Sequence, residues 1–349
     1  MKDEIRKDLR DFIATGSLAE LCDSINMIGP YVSGLSVDET LSVNQLTFYT
    51  QVNVRRASYR QFRIPKKSGG VRTITAPDGQ LKEILRTLAY IFSELYTPTN
   101  EAMAFIPGRS IVDNAMQHTG RNYVLNIDLS DFFTSITANM VQHGLEKIGI
   151  PSLVAQDLAS ICTYPIIEDH HIHNVVPQGS PASPILSNIC AMPLDRRLEG
   201  LAKRFHLTYT RYADDITFSS QHNVYQADGE FMKELVKIIE ECHFSINPKK
   251  TRLLKPGERQ EVTGLTVSEK PNVSRKYIKN LRAMIHLISH QEQPTNHEVN
   301  VARGKLNFLR MVKGKEDSTY ILLIKKLNKA VKGKNFSLQP LSSNPSASA

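Results

Sequence analysis

Asp214 and Asp215 stand side by side in a run that otherwise reads as a β-hairpin, and that pairing constrains the chain once a third acid is read with it. Leu207-Thr208-Tyr209-Thr210-Arg211 precedes the pair and Ile216-Thr217-Phe218-Ser219 follows it, both rich in β-branched and aromatic residues. Neighbouring carboxylates at a tight turn repel each other and lose hydration, which is unfavourable unless a cation sits between them. Alone, the pair is compatible with a solvated polar turn. A third acid changes the reading. Asp128 ends the short apolar strand Val124-Leu125-Asn126-Ile127, where a charge is costly unless it is paired or bound to a metal. Arg121 is the only cation close to it in sequence. Three carboxylates on adjacent strands suit two hard divalent cations, which take oxygen ligands and bridge substrate phosphates. Such a pair, roughly 3.5–4 Å apart, activates an attacking hydroxyl and stabilises the leaving oxygen.

The rest of the chain narrows the class. Its 349 residues allow two or three lobes, and 41% hydrophobic residues suffice for a buried core. A net charge of +8 favours a polyanionic partner. Ten lysines and arginines fall within residues 303–334 against only Glu316 and Asp317, although a solvated helical face would account for half of them. Cys22, Cys162, Cys190 and Cys242 are widely spaced, so neither a zinc site nor a disulfide framework is expected. No apolar run approaches ~18 residues, so a soluble, cytoplasmic protein without membrane partners is expected.

Residues 1–50 read as mostly helical. The alternation in Tyr59–Ile64, the turn Pro65–Gly70 and the returning Val71–Thr75 predict a hairpin. It carries Lys66, Lys67 and Arg72, which could clamp a triphosphate or simply solvate an edge. A helix is predicted over 79–96 with Leu81, Ile84, Leu85, Leu88 and Ile91 as its buried stripe. Arg109, in the turn Phe105–Ile111, is placed to reach template phosphates. Asn114 and His118 share a helical face, with a packed or capping histidine as the alternative. Pro177–Pro184 opens a further helix with Ser183 as its N-cap, Gly179 gives a ligand close access to backbone, and Pro193 is expected to kink or interrupt that helix. Lys276–Ile288 is amphipathic, with Ile278, Leu281, Ile285 and Ile288 inward and Lys276, Lys279 and Arg282 outward. The Ser-, Pro- and Asn-rich residues from Asn335 read as a flexible tail.

Taken in order over roughly residues 55–270, these segments resemble a reverse transcriptase. They are the basic hairpin, the Asp128 strand, Pro177-Gln178-Gly179, Tyr212-Ala213-Asp214-Asp215, Asn247-Pro248-Lys249-Lys250-Thr251 and a closing hairpin. Asn114-Ala115-x-x-His118 and Val262-Thr263-Gly264 are similar to the NAxxH and VTG patterns of the bacterial retron branch.

The resemblance implies an α+β, right-hand polymerase. Its N-terminal helices and fingers would occupy 1–120, an antiparallel palm sheet with helices 121–270, a basic helical thumb 271–334 and a tail 335–349. It implies that Asp128, Asp214 and Asp215 hold two Mg²⁺ ions, with Mn²⁺ able to substitute. Arg72, with Lys66 or Lys67, would grip the deoxynucleoside triphosphate, and Phe133 would exclude a ribose 2′-hydroxyl. Gln178 and Gly179 would line the nascent base pair and Tyr212 would pack near the primer end. Lys250, or its neighbour Lys249, would protonate the departing pyrophosphate. Partners implied are a cognate non-coding RNA and its RNA–DNA product, and a separate effector protein in phage defence. The RNA would meet Arg109, Asn114, His118, Lys276, Lys279, Arg282, Lys325, Lys326 and Lys329. The sequence names neither the RNA nor the effector, and leaves the priming site and oligomeric state open. Rival readings are a group II intron, diversity-generating or abortive-infection enzyme, and a non-catalytic RNA-binding antitoxin scaffold. The short chain after the thumb and the two retron-like patterns argue against the first group, and the intact aspartates against the second.

Overall fold

A computed structural model describes residues 2–35, 40–66, 69–168 and 170–332. Lys67, Lys334 and the expected tail at 335–349 lie outside them. The chain opens with α1 (Lys2–Thr15), α2 (Leu18–Val32), α3 (Val43–Phe48) and α4 (Val52–Ala57). Ser17 caps α2 by accepting from the Ala19 amide, and Ser42 and Gln45 close a capping box on α3. β1 (Tyr59–Pro65) and β2 (Val71–Pro77) form the expected basic hairpin, with Ile64 opposite Arg72. α5 (Gly79–Leu95) buries its predicted apolar stripe completely. Each such leucine or isoleucine is worth roughly 1.5–3 kcal/mol of burial.

The middle of the chain runs α6 (Ile111–Met116), β3 (Tyr123–Ser130), α7 (Ala138–Lys147), α8 (Ser152–Cys162), β4 (Tyr164–Glu168), β5 (His171–Val175), α9 (Ser183–Arg204), β6 (Thr208–Tyr212), β7 (Asp215–Ser220) and α10 (Glu230–Glu241). β8 (Ser245–Ile246), β9 (Arg252–Leu254), β10 (Glu261–Val262), β11 (Leu265–Val267) and β12 (Pro271–Asn272) follow, then α11 (Arg275–His290), α12 (Asn296–Lys313) and α13 (Ser318–Val331). No described helix is long and apolar enough to cross a membrane.

The fold is α+β and divides into two compact units. The first holds the residues up to Ser110 and Asn122–Pro256. Its centre is an antiparallel sheet of order β6-β7-β3, with β8 and β9 both on the far edge of β3. Because side chains alternate along a strand, one face takes Leu125, Ile127, Ile216, Phe218 and Tyr209 into the core with α9. The other face carries Asp128, Asn126, Asp215, Thr217, Thr210 and Tyr212. α9 is buried around most of its circumference and runs unbroken through Pro193, where a kink or break was expected. Packing on all sides overrides the local cost of the proline. Ser183 is not the N-cap that its type suggested: it lies inside α9 and its hydroxyl donates to the Pro177 carbonyl at 2.6 Å.

The second unit joins Ile111–Arg121 to the described residues from Gly257 onward. This moves the expected boundaries. Residues 111–120 are expected with the fingers and 257–270 with the palm, yet α6 packs on β10, β11 and β12 and falls in the same compact unit as the C-terminal helices. Leu281, Ile285 and Ile288 of α11 face inward as predicted, Ile278 is half-buried, and Lys276, Lys279 and Arg282 are exposed.

Candidate active site

β6 and β7 are joined by a two-residue turn, Ala213-Asp214, with Tyr212 opposite Asp215. β7 pairs with β3 so that Asp215 is also directly opposite Asp128. Cross-strand partners share a face with Cβ atoms about 4.5–5.5 Å apart, so register alone brings these two acids together. Asp214 is tied to the same place through its carbonyl, which accepts from the Leu129 amide at 3.0 Å.

The acids do not share one environment. Asp128 is nearly buried; its Oδ1 accepts from Asn247 Nδ2 at 3.0 Å and its Oδ2 from Lys250 Nζ at 2.8 Å. Asn247 also donates its backbone N–H to the Asp128 carbonyl at 2.8 Å, while its Oδ1 accepts from the Lys249 amide at 3.2 Å. One asparagine thus fixes both Asp128 and the turn that brings Lys250 in. The bond to Asp128 holds the Lys250 ammonium above its ordinary range. Loss of hydration pushes Asp214 up, with Asp128 adding to it and Lys250 and Arg72 opposing. Asp215 is pushed up to about 7, by loss of hydration and then by the charges of Asp214 and Asp128. Its side chain is open to solvent, which weakens the first cause and leaves the neighbouring carboxylates to set the direction.

This crowding of anions is what a divalent cation relieves. Among the described residues no three acidic, histidine or cysteine side chains close into a coordination shell. A carboxylate cluster open on one side fits Mg²⁺ nonetheless, because that ion keeps waters and substrate phosphates as ligands and needs only one or two carboxylates.

Around the acids, Lys66 and Arg72 are exposed on the basic hairpin, and Arg72 is near enough to lower Asp214. Phe133 is half-buried with its ring 5.5 Å from Phe132. Tyr212 is half-buried beside the turn. The Gln178 carbonyl accepts from the Thr75 amide of β2 at 2.8 Å, and a Cβ on Gly179 would lie 3.0 Å from the Thr75 oxygen and 2.7 Å from Ile74 Cγ2. Only glycine fits there, and at φ 130 only glycine is unstrained.

Three of the residues expected to meet RNA have side chains engaged within the protein. Arg109 spends its Nη1 on the carbonyls of Thr99 (2.6 Å), Asn100 (3.3 Å) and Ala102, stapling a loop. His118 is 0% exposed, and burial, helped by Arg121, pushes its imidazole down to about 3. Asn114 is 1% exposed and its Nδ2 lies 3.5 Å from the Thr263 hydroxyl. The NAxxH and VTG segments therefore pack on each other within the second unit.

Lys276, Lys279 and Arg282 on α11, and Lys325, Lys326 and Lys329 on α13, are exposed. Sequence reasoning placed Asn247 in a recognised segment without giving it a role, and missed Asn188, Asp195 and Arg211, which are buried behind the Ala213-Asp214 turn. The seven-residue spacing of Asn188 and Asp195 on an otherwise apolar helix face was the available signal.

The reverse transcriptase (RNA-dependent DNA polymerase) profile matches residues 64–291. The chain belongs to that family. Retron Mx65 reverse transcriptase of Myxococcus xanthus is 37% identical over 284 residues, covering 78% of this chain and 66% of that protein. Retron Ec86 reverse transcriptase of Escherichia coli is 36% identical over 287 residues, covering 79% of this chain and 83% of that protein. These relatives set it among the bacterial retron reverse transcriptases. Among solved structures, telomerase from Candida albicans matches with a TM-score of 0.43 and 9% identity, over 78% of this chain and 59% of that one. The antiparallel sheet with its helices is the palm of that α+β polymerase fold. Reverse transcriptases as a family use divalent metal ions.

Proposed function

We propose that this reverse transcriptase copies part of a cognate non-coding RNA into multicopy single-stranded DNA, starting from the 2′-hydroxyl of a guanosine in that RNA. The observation that carries the polymerase step is the register that sets Asp128 opposite Asp215, with Asp214 in the adjoining turn. Two Mg²⁺ ions on these carboxylates, or Mn²⁺ in their place, would lower the pKa of the attacking hydroxyl and neutralise charge on the departing pyrophosphate.

Residues of the chain do the rest. Arg72 and Lys66, with Lys67, bind the triphosphate through charge-assisted hydrogen bonds. Gln178 and Gly179 border the nascent base pair, where the absence of a side chain at 179 lets backbone approach it. Phe133 crowds a ribose 2′-hydroxyl, and Tyr212 supports the primer end. Lys250 donates the proton to pyrophosphate. Its Nζ already lies among the acids and is held protonated there, whereas Lys249 meets Asn247 through its backbone amide. Lys276, Lys279 and Arg282, with Lys325, Lys326 and Lys329, grip an RNA stem through its backbone, since the deep groove of A-form RNA offers side chains little sequence to read. Asn114, His118 and Arg109 drop out of that set because their side chains are engaged within the protein. The protein works in the cytoplasm with a separate effector protein in defence against phage.

The test is to isolate the protein from its host with its bound nucleic acid and sequence what comes with it. A branched RNA–DNA species supports the reading, and RNA with intron features overturns it. Asp214→Asn should retain the RNA and lose the DNA, with nucleotide incorporation down by at least about a thousandfold; incorporation at the native rate would refute the metal role. Replacing Lys325, Lys326 and Lys329 with alanine should weaken RNA binding and reduce the salt dependence by up to about two to three counterions.

A further inference from the structure

Arg211 sits on the core face of the palm sheet, 0% exposed, where the neighbouring positions are apolar. Its Nε and Nη2 donate to Asp195 of α9 at 2.7 Å each, Nη2 also to Asn188 Oδ1 at 3.2 Å, and Nη1 to the Ala213 carbonyl at 3.2 Å. Asp195, also 0% exposed, is held in turn by the Tyr209 hydroxyl at 2.7 Å, and Asn188 Nδ2 donates to the Ala104 carbonyl at 2.8 Å. Every partner is buried, so the guanidinium cannot serve as an anion site or touch substrate.

A buried ion pair is a weak source of stability, because well-packed apolar residues of similar volume usually do as well. The reason for this one lies at its third contact. Ala213 has φ 57, a left-handed conformation that a residue with a Cβ adopts only when its surroundings enforce it. Two bonds enforce it: Arg211 Nη1 on the Ala213 carbonyl and the Leu129 amide on the Asp214 carbonyl. The second joins the turn to β3. The first joins it to α9, the helix that follows directly from the Gln178-Gly179 loop.

We propose that Arg211, oriented by Asp195 and Asn188, is a positioning residue that clamps the Ala213-Asp214 turn in its strained form. It thereby sets Asp214 and Asp215 relative to the loop bordering the base pair. The inference rests on the polymerase reading.

The test is single-nucleotide extension of a preformed primer–template, separating the incorporation rate from the nucleotide Kd. Arg211→Met with Asp195→Leu removes both charges and keeps the core filled. The rate should fall by about a hundredfold, since small misplacements of reacting groups cost that much, while nucleotide Kd stays near native and melting temperature drops by a few degrees as the Tyr209 hydroxyl and Asn188 Oδ1 lose their partners. Adding Ala213→Gly to that variant should recover about tenfold, because glycine holds a positive φ without a clamp. Arg211→Lys keeps the charge facing Asp195 but cannot reach Ala213 as well, and should lose about tenfold; it carries the test if the double variant fails to fold. A native rate in the folded double variant overturns the proposal, as does a loss that Ala213→Gly leaves unchanged, or a native rate in Arg211→Lys. An inactive native protein would instead count against the polymerase reading.

Discussion

Two tight hairpins in this protein solve the same backbone problem and carry different loads. The turn Ala213-Asp214 has φ 57 at Ala213, and the turn Thr263-Gly264 has φ 46 and 77. Both place a residue with a Cβ in the left-handed region, and both hold it from outside. In the palm, Arg211 and the Leu129 amide take the turn carbonyls, and the turn presents carboxylates. In the second unit, the Thr263 hydroxyl donates to the Ile111 carbonyl at 3.3 Å and lies beside Asn114, and the turn seats a helix. The first uses enforced geometry to display charge that burial opposes; the second uses it to close a core. Damage near the first should therefore appear mainly in rate, and damage near the second mainly in stability.

The sharpest way to break that contrast is Gly179→Ala. Its Cβ would meet the Thr75 carbonyl and Ile74 at distances that neither backbone nor a packed methyl accommodates. The loop must then shift relative to β2, and incorporation should fall by about a hundredfold, with a melting temperature only a few degrees lower. Pre-steady-state extension and thermal unfolding on one preparation check this. A large loss of stability with a normal rate in the surviving folded protein would place Gly179 with the structural glycines.

How much of this was legible before the structure follows the same divide. The three acids, the basic hairpin and α5 could be read because each rests on local pattern: a strand period, a turn dipeptide, a helical stripe. Asn247 and Arg211 could not, since their roles depend on partners 119 and 16 residues away that local pattern does not pair with them. His118 and Asn114 misled for a related reason. Their spacing predicts one shared helix face, but α6 ends at Met116 and His118 lies in the turn beyond it; the packing of this segment on β10–β12 buries both. The difference in boundary has the same origin, because Ile111–Arg121 joins the second unit through contacts more than 100 residues away in sequence.

His118 offers the second test. Its imidazole is held neutral with a folded pKa of about 3 against an ordinary 6.5. Below pH 6.5 the unfolded chain takes up a proton that the folded one refuses, so stability present at neutral pH is lost as pH falls. The slope approaches about 1.4 kcal/mol per pH unit, or ~2 kcal/mol between pH 6.5 and 5. Amide exchange in α6 and β11, followed over that range, should show it, and His118→Gln should flatten it. Unchanged protection at pH 5 would mean that the imidazole is not the buried group of this core.

The smallest effect is the most discriminating. Gly264 has φ 77, and a Cβ there would meet nothing within 4 Å, so Gly264→Ala introduces backbone strain alone. A left-handed alanine costs about 1–2 kcal/mol, and the lower entropy of the unfolded chain returns about 0.4–1 kcal/mol. The net loss should be about 0.5–1 kcal/mol in denaturant unfolding, with the incorporation rate of the folded protein unchanged. A turn whose work is to seat α6 can absorb that loss without moving a reacting atom. If this substitution instead cost as much rate as Gly179→Ala, the second hairpin would belong to the catalytic machinery and the division of labour between the two turns would be wrong.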